Sequence, residues 1–507
     1  MSAAPLPERV QARPGPAELS APVAARILRN AAWLFCSEGI TKSLFFFANI
    51  LLARLLTASN YGVLALAQSW VLYAGLLADL GIMMYGQAEA ARRPIGEDTA
   101  ALAAELMPFR ALAGAMVLVG LLALLPVLIS SRALRITVAA ASLYLVGQAI
   151  SAEWLFRGKE RFEVVMAGNA AGAATFLAAV AVNGSGAGAL FRDALAWSLS
   201  SLVMAAAYLV FLPGLIGSYR RLCVRTPAWR RHAREASFFA LSNIIAESYR
   251  VLPFFLLGIL ASAQEVGLFA APLRLVVNLA SLGFLVPMAF YPASARLFRE
   301  QPEVFAHSRR ALVFAMLAIG APVAVIGGRL AAPIMTIIFG PRYGASAPIF
   351  ALLMWTLPLY LVRFVYGTTI LATGFQRLHS LASATAAAIG LLAGIPLVHR
   401  LGGAGAAWTL ICSESAMTAA LIAISARVHH EAAIPATAKL VRLASLLIVM
   451  WLCGAVSYHS LGPLCTTVVM IAVYLIGLDA VGVADWQKVV RQFLIGGALR
   501  ARPGQFN

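Results

Sequence analysis

Four basic residues, Lys42, Arg250, Arg274 and Arg363, lie inside long apolar runs, with Arg54 at the end of one run and Arg329 near a boundary. Glu38, Asp79, Glu247 and Glu414 sit in the same kind of surroundings. An ionised side chain at the centre of a bilayer costs about 2.5–3.5 kcal/mol on insertion scales, so such groups face a cavity or one another. Two chemistries follow. The planar fork of arginine matches phosphate oxygens, so Lys42, Arg54, Arg250, Arg274 and Arg363 could together make a cationic cavity. Alternatively the charges pair locally: Glu38 and Lys42 are i,i+4, and Glu247 and Arg250 are i,i+3. Asp79, Glu247 and Glu414 could carry coupling protons or stand as fixed counter-ions.

Helical spacing groups these residues into stripes. Glu38, Lys42 and Asn49 share one helix face, as do Arg274, Asn278 and Ser281, and as do Gln68, Gly75 and Asp79. Polar stripes on apolar helices are what a water-filled cavity requires.

The elements that must position them are membrane spans. Of the 507 residues, 61% are hydrophobic and 12% charged, and the mean hydropathy is +0.84. A soluble protein carries about 25% charged residues, so a soluble fold is excluded. A net charge of +18 would suggest nucleic acid in a soluble chain. Here the bases fall in short gaps between apolar runs, where they orient helices and meet anionic lipid headgroups. Nucleic acid is not expected as a partner.

Segments near 32–54, 62–86, 108–130, 133–155, 163–183, 194–217, 237–260, 267–292, 311–330, 346–372, 379–398, 403–425, 441–459 and 463–482 each reach the length of a span, giving about fourteen. Basic clusters occupy every second gap, among them Arg92/Arg93, Arg157/Lys159/Arg161 and the group from Arg220 to Arg234. The intervening gaps, such as Ser59-Asn60-Tyr61 and Ser262-Ala263-Gln264, are nearly free of charge. Lys and Arg collect on the cytoplasmic side, so both termini are expected in the cytoplasm. The fold class is all-α and polytopic, with two six-helix bundles and two further helices at the C-terminal end.

Expected boundaries are a disordered cytoplasmic leader over 1–25, lobes over 26–217 and 237–430, a basic linker over 218–236, and two extra helices with a tail over 431–507. The leader is rich in Pro and Ala and has no apolar signal-peptide core. Cys36, Cys223, Cys412, Cys453 and Cys465 contain no CxxC pair, and the histidines, His429-His430-Glu431 included, have no metal-ligand spacing. No metal, disulfide or cofactor is expected. Trp33, Trp70, Trp154, Trp197, Trp408 and Trp451 lie in or near spans, as interfacial anchors or packing residues.

The chain also repeats itself. Thr57-Ala58-Ser59-Asn60-Tyr61-Gly62 matches Ser262-Ala263-Gln264-Glu265-Val266-Gly267; Arg157–Phe162 matches Thr373–Leu378; Ala187-Gly188-Ala189-Leu190 matches Ala404-Gly405-Ala406-Ala407. Three matches in one order, about 205 to 217 residues apart, indicate a duplication of six spans. An even number keeps both copies in one orientation, which places a pseudo-two-fold axis along the membrane normal and a substrate path between the copies. Lys42 then corresponds to Glu247.

These features resemble a known family. Leu52-Ala53-Arg54-Leu55-Leu56-Thr57-Ala58-Ser59-Asn60-Tyr61-Gly62, Asp79-Leu80-Gly81-Ile82, Ile338-Phe339-Gly340-Pro341-Arg342-Tyr343-Gly344 and Gly402-Gly403-Ala404-Gly405-Ala406-Ala407 are similar to segments of Wzx-type polysaccharide flippases, in the multidrug/oligosaccharidyl-lipid/polysaccharide exporter superfamily. The resemblance runs from about 25 to 430. Leu56-Thr57 departs from the usual Leu-Gly. It implies two bundles forming a V and alternating-access flipping of an undecaprenyl-pyrophosphate-linked oligosaccharide for cell-surface or exopolysaccharide synthesis. By the same resemblance the cationic cavity would bind the pyrophosphate, with support strongest at Lys42 and Arg54. It also implies a bacterial inner membrane, membrane lipids, and a polymerase and glycosyltransferases as pathway partners. Alternatives are a lipid II flippase or a multidrug exporter on the same scaffold, or a membrane glycan polymerase or ligase. The last is disfavoured because every outer gap is short and none carries an acid–base pair.

Overall fold

Left-handed residues and prolines punctuate an otherwise helical chain. A computed structural model describes residues 21–186, 188–221, 229–429 and 434–481, and among these no strand occurs. The first half comprises α1 (Ala21–Leu55), α2 (Ala58–Asp79), α3 (Ile82–Arg92), α4 (Glu97–Leu128), α5 (Arg132–Ser142), α6 (Tyr144–Ile150), α7 (Glu153–Gly158), α8 (Phe162–Asn183), α9 (Ala189–Phe211) and α10 (Pro213–Ile216). The second comprises α11 (Trp229–Leu260), α12 (Ala263–Gly283), α13 (Leu285–Glu300), α14 (Pro302–Arg329), α15 (Ala331–Phe339), α16 (Ala347–Met354), α17 (Thr356–Ala372), α18 (Gln376–His429) and α19 (Thr437–Val481). The first residues of the expected leader, Cys223, part of the basic linker, His430, Glu431 and the tail beyond Val481 lie outside the described residues. Helix α1 already begins at Ala21, within the segment expected as leader.

The chain is an all-α, multi-pass membrane protein. Eleven helices among the described residues are long and apolar enough to cross a membrane. The expected spans beyond those eleven fall on α1, on α11 and on the second limb of α18, which breaks at Gly402 (φ 54°, ψ −128°). Several expected spans are interrupted. The run at 62–86 breaks between α2 and α3, where Leu80 (φ 49°) and Gly81 (φ 77°) are left-handed. The run at 133–155 is three short helices. Pro322, by contrast, sits inside an unbroken α14.

The repeat has a structural counterpart, in a shifted register. Thr57 Oγ1 accepts from Asn60 N at 3.2 Å and Ser262 Oγ from Glu265 N at 3.3 Å, so both copies open their second span with the same N-cap. At the next turn the left-handed residues are Glu160 and Gly374, each followed by a backbone bond back to the preceding helix, Arg161 N to Phe156 O at 2.9 Å and Phe375 N to Ile370 O at 3.1 Å. That equivalence is two residues off the sequence match. Gly188 (φ 78°) opening α9 and Gly402 in the break of α18 keep the corrected register.

Within the first half α1 packs on α8, α8 on α9, α6 on α4 and α9, and α2 on α5; within the second α11 packs on α18, and α17 on α14 and α18. The halves meet chiefly along α2 and α12. There the backbones touch: a Cβ on Gly62 would lie 1.8 Å from the Ala263 carbonyl oxygen, and one on Gly267 1.9 Å from that of Ala58. These two glycines are repeat equivalents. Helix α19 lies outside, on α14, where Tyr474 Oη donates to Ala318 O and Leu443, Met450 and Met470 are buried.

Candidate functional site

Below the α2–α12 contact the halves part around a cavity of ≈ 820 Å³. Helix α2 runs its length, from Ala65 and Gln68 beside the contact to Asp79 at the far end. Helix α1 contributes Lys42 and Asn49, α4 Arg110, α11 Glu247 and Arg250, α12 Arg274 and Asn278, and α17 Tyr360. Of the residues expected to form the site, Lys42, Arg250, Arg274, Asp79 and Glu247 therefore share one wall-to-wall space. Arg363 lines an adjoining cavity of ≈ 350 Å³ together with Lys42, Glu247, Arg250 and Tyr360. Glu414 is fully buried behind Arg363, and its Oε2 is 2.9 Å from Arg363 Nε.

Arg54 is elsewhere. Its Nε donates to Ile338 O at 2.8 Å and its second guanidinium nitrogen to Ile337 O at 2.5 Å, so it caps the C-terminal end of α15. A cation there satisfies carbonyls that a helix end leaves without partners. Arg329 likewise donates to Gly454 O and Ala455 O of α19, at 3.3 and 3.2 Å.

Local sequence explains how these helices present charge. Pro108 precedes Arg110 on α4, Pro253 follows Arg250 on α11, and Pro272 precedes Arg274 on α12. A proline inside a helix removes one backbone bond of the ladder, and three cavity arginines stand within a turn of such a proline. At the far end, Asp79 Oδ2 accepts from Met83 N at 3.1 Å across the Leu80-Gly81 break, while Oδ1 is 2.9 Å from Arg110.

Charge pairing sorts the cavity. Lys42 Nζ is 3.3 Å from Glu38, which lies 3.8 Å from Arg157 as well. Arg157 is held 2.7 Å from Glu153. Arg250 donates to both Glu247 oxygens at 2.9 Å, Arg110 pairs with Asp79 and Arg363 with Glu414. Arg274 differs. It donates to Tyr61 Oη at 3.1 Å and Gln68 Oε1 at 2.5 Å, and its guanidinium lies over the Tyr61 ring at 5.2 Å. Among the described residues it is the cavity cation with only neutral side-chain partners. A ligand anion meets least competition there.

Sequence reasoning missed Arg110, Glu153 and Tyr61. Arg110 stands at the very start of its expected span, where a base reads as an interfacial residue; its closeness to Pro108 was the available signal. Arg157 belongs by sequence to a basic cluster in a gap between spans, yet it reaches α1 through Glu38. Tyr61 fell in an outer gap, yet it is fully buried. Among the described residues no three metal-ligating side chains come together.

A family model described as "Polysaccharide biosynthesis protein" matches residues 27–298. No curated protein matches the chain by sequence. Among solved structures, the lipid II flippase MurJ in an inward closed conformation superposes with a TM-score of 0.72 at 11% identity, covering 91% of this chain and 99% of that one. The MATE multidrug transporter DinF-BH gives a TM-score of 0.56 at 13% identity, covering 82% and 98%. An inward-facing MATE family transporter of the MOP superfamily gives 0.54 at 12%, covering 78% and 98%. The fold is that of these polytopic transporters.

Proposed function

We propose that this chain, which belongs to the polysaccharide biosynthesis protein family, flips an undecaprenyl-pyrophosphate-linked oligosaccharide across a bacterial inner membrane by alternating access. The observation that carries this reading is Arg274, a guanidinium inside a ≈ 820 Å³ cavity between the halves with hydroxyl and amide partners and, among the described residues, no carboxylate. A pyrophosphate brings oxygens that a guanidinium fork engages more strongly than it does neutral oxygens. Lys42 and Arg250 line the same cavity. Their carboxylate partners Glu38 and Glu247 are partly exposed, so an incoming phosphate can displace them at low cost. Arg363 and Glu414 are a buried pair that shapes the adjoining chamber, and Asp79 with Arg110 holds the far end. Arg54 acts outside the cavity.

In this scheme the basic turns face the cytoplasm, both termini lie there, and the halves over 26–217 and 237–430 rock about the α2–α12 contact. The protein translocates its ligand without covalent chemistry. A lipid II flippase would use the same headgroup chemistry. A cation exporter fits less well, because the cavity carboxylates Asp79 and Glu247 are already held by Arg110 and Arg250. A glycan polymerase or ligase needs an outer acceptor site, and the α1–α2 turn is only Leu56-Thr57. Expression in flippase-null and in polymerase-null cells separates the classes. Restored surface polysaccharide in the first and none in the second is the expected result; rescue of the polymerase-null cells alone would discard the flippase assignment.

A further inference from the structure

The two groups that hold Arg274 are not neutral bystanders, because they belong to the other half. Tyr61 and Gln68 sit on α2, two turns apart, whereas Arg274 sits on α12. Tyr61 is fully buried, its ring packed edge-on against Tyr343 at 6.1 Å between centroids. Next to it in sequence is Gly62, whose backbone touches the α12 backbone beside Gly267. The cation expected to meet the ligand is thus also a tie across the contact that closes one end of the cavity.

We propose that Tyr61 and Gln68 are positioning residues which latch Arg274 across the α2–α12 contact, so that a phosphate taking the guanidinium frees α12 from α2 and lets the Gly62–Gly267 seam part. This rests on Arg274 being the anion site proposed above. A guanidinium has five donors in one plane, and an anion offering charge-assisted bonds outcompetes a phenol and an amide for that fork. Ligand binding and loosening of the seam are then one event, as a ligand that shifts an equilibrium must bind the two states differently.

The test uses the full-length chain with its native cysteines replaced and Ala65→Cys introduced, since Ala65 lines the cavity just below the seam and is buried. In sealed vesicles a membrane-impermeant maleimide is confined to the side bearing the α1–α2 turn, with or without inorganic pyrophosphate on the other side. Tyr61→Phe keeps the ring that packs on Tyr343 and removes only the hydroxyl; Gln68→Met keeps the volume. Each is expected to raise the labelling rate about tenfold without pyrophosphate, the size of one lost charge-assisted bond. Pyrophosphate is expected to raise labelling of the parent protein and to add little to either variant. Variants that label like the parent without pyrophosphate overturn the latch, whatever the anion does. A lowered melting temperature with unchanged labelling means a structural role only and also overturns it. Labelling that rises in the variants while pyrophosphate leaves the parent unmoved, and does not bind it, keeps the latch as a contact but overturns both its release by an anion and the assignment of Arg274 as anion site.

Discussion

Two carboxylates in the site face opposite fates when neutralised. Glu414 is fully buried against Arg363, and removing one partner of a buried ion pair costs about 3–5 kcal/mol because the other charge is left stranded. Glu414→Gln is therefore expected to lower the unfolding midpoint markedly in detergent. Glu247 and Arg250 are 37% and 42% exposed, where an ion pair is worth about 0–1 kcal/mol. Glu247→Gln should leave the midpoint nearly unchanged and tighten pyrophosphate binding, as measured by calorimetry, because Arg250 is released. Equal destabilisation by the two substitutions would contradict this division. The pairs Glu38–Lys42 and Glu247–Arg250 were legible in the sequence because each lies within one helical turn. Asp79–Arg110 and Glu414–Arg363 were not, since their partners come from different helices and no local spacing encodes them. The latching of Arg274 by Tyr61 was hidden for the same reason.

At the scale of elements, the α2–α12 seam is the most constrained feature. A side chain at Gly62 meets the Ala263 carbonyl oxygen, which is backbone and cannot rotate away. Gly62→Val should push the helices apart and favour the conformation open at that end. Spin labels near the starts of α2 and α12 are expected to show a longer distance than in the parent, and an unchanged distance would mean that the helices repack without parting. Arg54 works at the same scale. Arg54→Ala should cost about 1 kcal/mol through the exposed α15 carbonyls while leaving pyrophosphate affinity intact; a loss of affinity would return Arg54 to the cavity. The helices themselves were readable from apolar length, and the repeat from its small-residue motifs. Its register was not. Glycine and alanine are so frequent in the chain that two of the matches slid by two or three residues, and only the left-handed positions Glu160/Gly374 and Gly188/Gly402 set them straight.

For the whole molecule, the cavity is lined by helices of both copies of the repeat, α1, α2 and α4 from the first and α11, α12 and α17 from the second. Helix α19 stands apart, contacting chiefly α14, and among the described residues it contributes no side chain to the cavity around Arg274 or to the chamber around Arg363. Ending the chain before Thr437 should thus preserve pyrophosphate binding and lower stability only. The most direct test of the central claim is flipping itself. Full-length protein in proteoliposomes is given an undecaprenyl-pyrophosphate-linked oligosaccharide labelled on its glycan, and the label reaching the opposite leaflet is followed for the parent, Arg274→Ala and Arg54→Ala. Flipping by the parent, a drop of about tenfold or more for Arg274→Ala, and near-parent rates for a folded Arg54→Ala are predicted. Parent-like flipping by Arg274→Ala would contradict the account.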